Sequence, residues 1–218
     1  MKSVRIDFVS DIACPWCAIG LTALEQAVDQ VSDQVLVEIH TQPFELNPQM
    51  PLGGRDVFEY LSEKYGNPIS QVKINQERIY QRAEDIGFTF HPEGRKRVYN
   101  TFNAHRLLHW AMVEFDLDAQ RRLKKELLKS YFTLAVDMDQ HDRLLEAVER
   151  AQLPIERARE VLASEEFAKD VKGQEQKYHQ LGVHSVPSII LNNQFIIQGA
   201  QSPELFAQAL RDCANSVI

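Results

Sequence analysis

"DIACPWCAIG", residues 11–20, sets two of the three cysteines of the chain three residues apart, with Pro15 and Trp16 between them. The β-rich run just before it, "SVRIDFVS" (3–10), predicts a first strand over about residues 3–9. From Pro15 onward, Ile19, Leu21, Leu24, Ala27, Val28 and Val31 recur at helical spacing, which predicts a helix to about Val31. "VLVEIHT" (35–41) then predicts a second strand. Strand, helix and strand make a βαβ unit, which requires a parallel pair and a right-handed crossover. Cys14 falls at or near the N-cap, beside the unpaired N–H groups and the positive dipole end of the first turn, where a thiolate is favoured. Cys17, one turn further on, points inward and can reach Cys14 to form a disulfide. The pair reads as a nucleophile and a resolving thiol.

Outward from this unit the pattern changes and then returns. "PSIILN" (187–192) and "QFIIQG" (194–199) predict a hairpin with a tight Asn192-Asn193 turn. Ser202 as N-cap and Pro203 at the first position predict a terminal helix. Between about Arg55 and Leu181 every stretch has helical periodicity and none is a convincing strand, and Arg95-Lys96-Arg97 reads as a solvated helical face. The economical arrangement is one α/β domain in two parts, residues 1–53 and 166–218, with an all-helical insertion at 54–165. Pro187 opens a strand that cannot easily be central, because proline donates no ladder hydrogen bond.

With 218 residues and 44% hydrophobic content the chain can bury one sizeable core or two small ones. Its 24 basic and 31 acidic residues give a formal charge of -7, which favours neither nucleic acid nor an anionic membrane surface as partner. No apolar run reaches membrane-spanning length, and the first residues lead straight into a strand rather than a signal peptide, so a cytoplasmic protein is expected if Met1 is the native start. A zinc site needs four ligands, yet there is no second CxxC and Cys213 stands alone; His105 and His109, spaced i and i+4, read as a helix face, so no metal is expected. A structural disulfide between residues three apart closes too small a loop to stabilise much. A redox dithiol remains the strong reading of Cys14 and Cys17.

Four stretches together, "SDIACPWCAIG" (10–20), "PFELNP" (43–48), "NTFNAHRLLHWA" (100–111) and "GVHSVPSIILNNQFIIQGAQSPE" (182–204), resemble the DsbA-like thioredoxin superfamily and, within it, the FrnE-type dithiol-disulfide oxidoreductases. The resemblance implies a thioredoxin-like fold (βαβ + ββα) with the helical insertion, Cys14 attacking, Cys17 resolving, and Pro187 as a cis-proline facing them. Pro15, Trp16 and Val186 would then border the substrate. His105 is a further candidate there, with a satisfied core position as the alternative. Ala18, where an aromatic residue is common in the group, and His184-Ser185, where Thr-Gly is frequent, depart from the pattern.

Asp7 alternates with Ile6 and Phe8 in a strand expected to be buried on both faces, which makes it the candidate proton acceptor for Cys17, while Asp11 is expected at the surface. Cys213 is expected to pack as a small apolar residue. The leading function is a protein thiol-disulfide oxidoreductase or isomerase acting on protein thiols and disulfides, with no cofactor beyond the Cys14–Cys17 redox disulfide. Glutathione or a thioredoxin-type protein is the candidate recycling partner. The alternatives are a glutathione-linked isomerase or transferase of the kappa-transferase and 2-hydroxychromene-2-carboxylate isomerase type, and a redox-sensing, chaperone-like binding module.

Overall fold

The computed structural model describes residues 2–216. Strand β1 (Lys2–Ser10) leads through the CxxC turn into helix α1 (Pro15–Val31), and the chain returns as β2 (Val35–Pro43), parallel to β1. The far end of the chain supplies β5 (Ser188–Leu191), β6 (Phe195–Gln198) and α9 (Pro203–Ser216). The sheet order is β2-β1-β5-β6, with β5 antiparallel to both β1 and β6. Residues that alternate along β1 therefore serve two layers. Ile6 and Phe8 enter the main core with Leu24 and Ala27 of α1 and Phe206 and Leu210 of α9. Val9 faces the other way and packs with Phe44, Ile190 and Tyr178. The Ser202 hydroxyl accepts the Leu205 N–H at 3.3 Å and so starts α9, as the Ser-Pro pair predicts.

Two details of the predicted sheet differ. The hairpin loop has three residues, because Leu191 pairs with Phe195 and both Asn192 and Asn193 stand at positive φ. Strand β5 is interior, not an edge. Pro187 is accommodated because it lies just before the first ladder pair, Ser188 with Gln198, and offers its carbonyl to the Gly199 N–H at 2.8 Å.

The middle of the chain forms α2 (Val57–Tyr65), α3 (Ile69–Glu84), α4 (Phe102–Glu114), α5 (Leu117–Leu128), α6 (His141–Arg150), α7 (Ile155–Ala163) and α8 (Ala168–Gln180). A single π-helical turn, Lys129–Thr133, extends α5. Among the described residues no helix is long and apolar enough to cross a membrane. The expectation of no strand here is corrected by a short antiparallel ribbon, β3 (Arg55–Asp56) with β4 (Arg97–Val98). Two-residue strands are too short to leave an alternating pattern. The ribbon closes over Gly54, whose φ is +66 and whose place would put any Cβ into the Val98 carbonyl. Arg95-Lys96-Arg97 consequently lies in loop and strand rather than on a helix face, and the Arg97 guanidinium donates to the Gly53 and Gly54 carbonyls at 2.6 and 2.9 Å.

Candidate active site

Cys14 is the N-cap of α1, in extended conformation, with Pro15 at the first helical position and the Cys17 N–H on its carbonyl at 3.0 Å. Both cysteines are free thiols. Cys14 is 4% exposed and Cys17 fully buried, so the outer thiol is far less open than a loop tip would be. Cys14 Sγ makes no capping bond to the helix; its thiol donates to the Val186 carbonyl at 3.5 Å, and the Val186–Pro187 peptide bond is cis. Pro187 rests against α1 at Gly20, where a Cβ would lie 3.1 Å from the proline Cγ.

Cys14 opens into a cavity of about 960 Å³ whose walls are drawn from segments between Ala13 and Val186. Trp16, 39% exposed, lines its rim together with Pro15 and Val186. Phe44 and Glu45 of the segment after β2 form one wall, and Tyr65 and Arg78 of α2 and α3 another. Burial, then the charge of Asp11, pushes the Glu45 carboxyl up to about 7. Its neighbour Glu175 on α8 is pushed up to about 8, by burial first and then by Glu45 and Asp11.

Behind the thiols the chain assembles charges that the sequence reading did not place. Asp11, expected at the surface, is fully buried. Its Oδ1 accepts the Ala13 N–H at 3.1 Å and its Oδ2 the Leu46 N–H at 2.7 Å, and His105 Nε2 stands 3.4 Å from Oδ1. Burial alone would raise the Asp11 carboxyl; the His105 imidazole beside it and these two amides hold it below the ordinary range. His105 is therefore not a groove residue. It is 2% exposed beneath the site, it does not line the cavity, and burial lowers its pKa.

Asp7 is buried, as its place in β1 predicts, but it is paired. Its carboxylate accepts from Arg5 at 2.7 Å and from Gln42 Nε2 at 2.7 Å, on the side of the sheet that carries Tyr178. Burial pushes the Cys17 thiol well up, reinforced by its bond with Cys14. The opposing charge is Lys124 of α5, fully buried, with no hydrogen-bond partner at Nζ.

Arg95 is not on a solvated helical face but reaches the CxxC turn. Its Nη1 donates to the Ala13 carbonyl at 2.7 Å, and its guanidinium stacks 5.1 Å from the ring centres of Tyr131 and Phe132, so it ties the segment before β4 to the residue preceding Cys14. Nothing in the sequence distinguishes it from its basic neighbours. Lys124 did leave a signal: Gln120, Leu123, Lys124, Leu127 and Leu128 fall at i, i+3, i+4, i+7 and i+8, and all five are buried. Cys213 is buried in α9 among apolar side chains.

A family model described as a DSBA-like thioredoxin domain matches residues 5–211. Among solved structures, that of a probable DsbA oxidoreductase from Streptomyces coelicolor superposes with a TM-score of 0.88 at 30% identity, covering 99% of this chain and 92% of that one. A 2-hydroxychromene-2-carboxylate isomerase matches with a TM-score of 0.70 at 14% identity, over 97% of each chain. The cytosolic disulfide reductase DsbM from Pseudomonas aeruginosa matches with a TM-score of 0.60 at 15% identity, over 97% of this chain and 95% of that one; DsbM has also been solved with GSH. At these last two identities the likeness is one of fold.

Proposed function

The chain belongs to the DSBA-like thioredoxin domain family, and from that premise we propose that it is a protein thiol-disulfide oxidoreductase in which Cys14 attacks and Cys17 resolves. The observation that carries this reading is the graded burial of the pair at one helix start, with Cys14 lining the cavity and Cys17 closed off behind it. The Cys14 sulfur attacks a substrate disulfide and expels one substrate thiolate, leaving a mixed disulfide. Cys17 then attacks Cys14, the second substrate sulfur leaves reduced, and the Cys14–Cys17 disulfide is formed. Run in reverse, the same exchange oxidises a substrate dithiol. Pro15, Trp16 and Val186 form the rim that an extended segment would touch, with Pro187 holding Val186 against the thiol. The FrnE-type group, whose motifs the chain resembles, and a cytoplasmic setting complete this reading.

A second substrate class is favoured by the cavity itself. Lys64, Arg78 and Arg95 bring three cations to its walls, which suits a small dicarboxylate thiol such as glutathione, and DsbM offers the parallel of a bound GSH. One experiment covers both. Cys17→Ser leaves the attacking thiol and removes the resolving one, so adducts should accumulate on Cys14 and be retained on non-reducing gels of cell extracts. Many protein adducts are expected. Glutathione as the sole adduct would move the assignment to the small-molecule reading. No adduct, together with full activity of Cys14→Ser, would overturn the dithiol mechanism.

A further inference from the structure

We propose that Arg95 sets the substrate preference of the site: its guanidinium pairs with a carboxylate that the substrate carries beside the disulfide attacked by Cys14. This rests on the oxidoreductase reading above. Three cations line the cavity, Lys64, Arg78 and Arg95, and geometry separates them. Lys64 is engaged with its own wall, its Nζ donating to the Leu46 carbonyl at 2.9 Å and to Asn47 Oδ1 at 2.7 Å. Arg78 stands exposed on α3. Of the three, Arg95 is the one fastened to the CxxC turn. Its Nη1 donates at 2.7 Å to the carbonyl of Ala13, and that carbonyl belongs to the peptide group that ends in the Cys14 nitrogen.

Two further features suit Arg95 to this task. Its guanidinium lies 5.1 Å from the ring centres of both Tyr131 and Phe132, so the head group is held in place before substrate arrives. Its charge is also unpaired. The acid nearest in sequence, Glu93, pairs with Lys96 at 3.1 Å, and among the described residues no carboxylate forms an ion pair with Arg95. The bond to Ala13 leaves further N–H groups of the guanidinium fork for an anion. Half-buried in the cavity wall, that fork gives a carboxylate a stronger pair than a fully solvated arginine would, since less water competes.

The chemistry is the exchange already described, with a charge beside it. The Cys14 thiolate attacks the nearer sulfur of the substrate disulfide and forms the new S–S bond. The other substrate sulfur takes the electron pair of the broken bond and leaves as a thiolate. A carboxylate close to the disulfide brings like charge toward the attacking thiolate, and the Arg95 cation offsets that repulsion. The overall charge of -7 opposes acidic substrates at long range, so the preference is local to this wall.

The test measures selectivity in the reduced full-length protein by stopped-flow absorbance. The first phase, attack by Cys14, is followed with 5,5′-dithiobis(2-nitrobenzoate), which carries a carboxylate on each ring, and with the uncharged 4,4′-dithiodipyridine. Disturbing the tether to Ala13 acts on both reagents and cancels in the ratio of their rates, whereas losing the anion partner does not. Arg95→Gln should lower that ratio by roughly tenfold, with most of it restored in Arg95→Lys, which keeps the charge. Arg78→Gln should lower it by less than about threefold, because that cation is solvated. An unchanged ratio in Arg95→Gln, or an equal fall in Arg78→Gln, overturns the proposal. If Arg95→Gln does not fold, the wild type decides, and a ratio that does not fall from low to high salt overturns it. A second arm uses glutathione disulfide and a peptide disulfide with Glu beside its cysteine. Slowing of the first alone in Arg95→Gln assigns the carboxylate to a small thiol, slowing of the second alone assigns it to an acidic protein segment, and slowing of neither overturns the proposal. A first phase that persists in Cys14→Ser overturns the dithiol reading and this proposal with it, whereas a Cys14-dependent phase with an unchanged ratio overturns only the role of Arg95.

Discussion

The two thiols stand three residues apart and differ in environment rather than in kind. Cys17 is sealed from solvent, and burial followed by the bond from Cys14 holds its proton tightly. Cys213 is also buried, and burial raises its pKa too. Cys14 alone of the three lines the cavity. Since alkylation runs through an accessible thiolate, iodoacetamide at neutral pH should modify Cys14 about tenfold or more faster than either other cysteine. Peptide mass spectrometry over a time course reads this directly, and faster loss of the Cys17 peptide would reverse the roles assigned to the pair. The residue three before Cys14 is the less expected case. Asp11 is an acid in a motif that looks like a surface turn, yet two amides and an imidazole make its burial tolerable.

At the scale of elements, the site is a meeting of α1 with the turn that enters β5. The contact is close because position 20 has no side chain: Gly20 faces Pro187 and Ala200, and even a Cβ would come to 3.1 Å from one and 3.6 Å from the other. Gly20→Ala trades that tight contact against a gain of up to about 1 kcal/mol in helix propensity and should leave stability nearly unchanged. Gly20→Leu cannot be absorbed so easily. It should destabilise by about 1–3 kcal/mol in urea unfolding through overpacking. By displacing Val186 from the Cys14 thiol, it should also slow the exchange reaction. Wild-type stability and rate in Gly20→Leu would show that this contact does not position the site. Gly54 plays a different part, permitting a left-handed turn where β3 meets β4.

Across the whole molecule, elements distant in sequence share one cavity and one set of charges. Glu45 follows β2 and Glu175 lies on α8, and together they carry carboxyls raised to about 7 and about 8. Their native values exceed the unfolded value of about 4.3. The protons they hold therefore contribute stability that is complete below that value and is lost as pH rises through about 7 and 8. Glu175→Gln should thus stabilise the protein at pH 8 by about 1–2 kcal/mol, allowing for solvent screening, with little effect near pH 4. Equal effects at both pH values in denaturant titrations would refute the raised carboxyls. By itself the sequence determined the βαβ opening, the register of α1, the β5–β6 hairpin and the capped α9, because periodicity, caps and proline act within a few residues. It also marked Cys14 and Cys17, whose spacing at a helix start is itself the chemical signal. Only the tertiary structure decided that Asp11 is buried, that His105 stands 3.4 Å from it, that Arg95 reaches the Ala13 carbonyl and that Lys124 Nζ is buried without a hydrogen-bond partner. Those partners lie tens of residues apart or more, and packing against the CxxC turn brings them together. A pattern read along one dimension records which face of a helix is buried, not which charge it will meet.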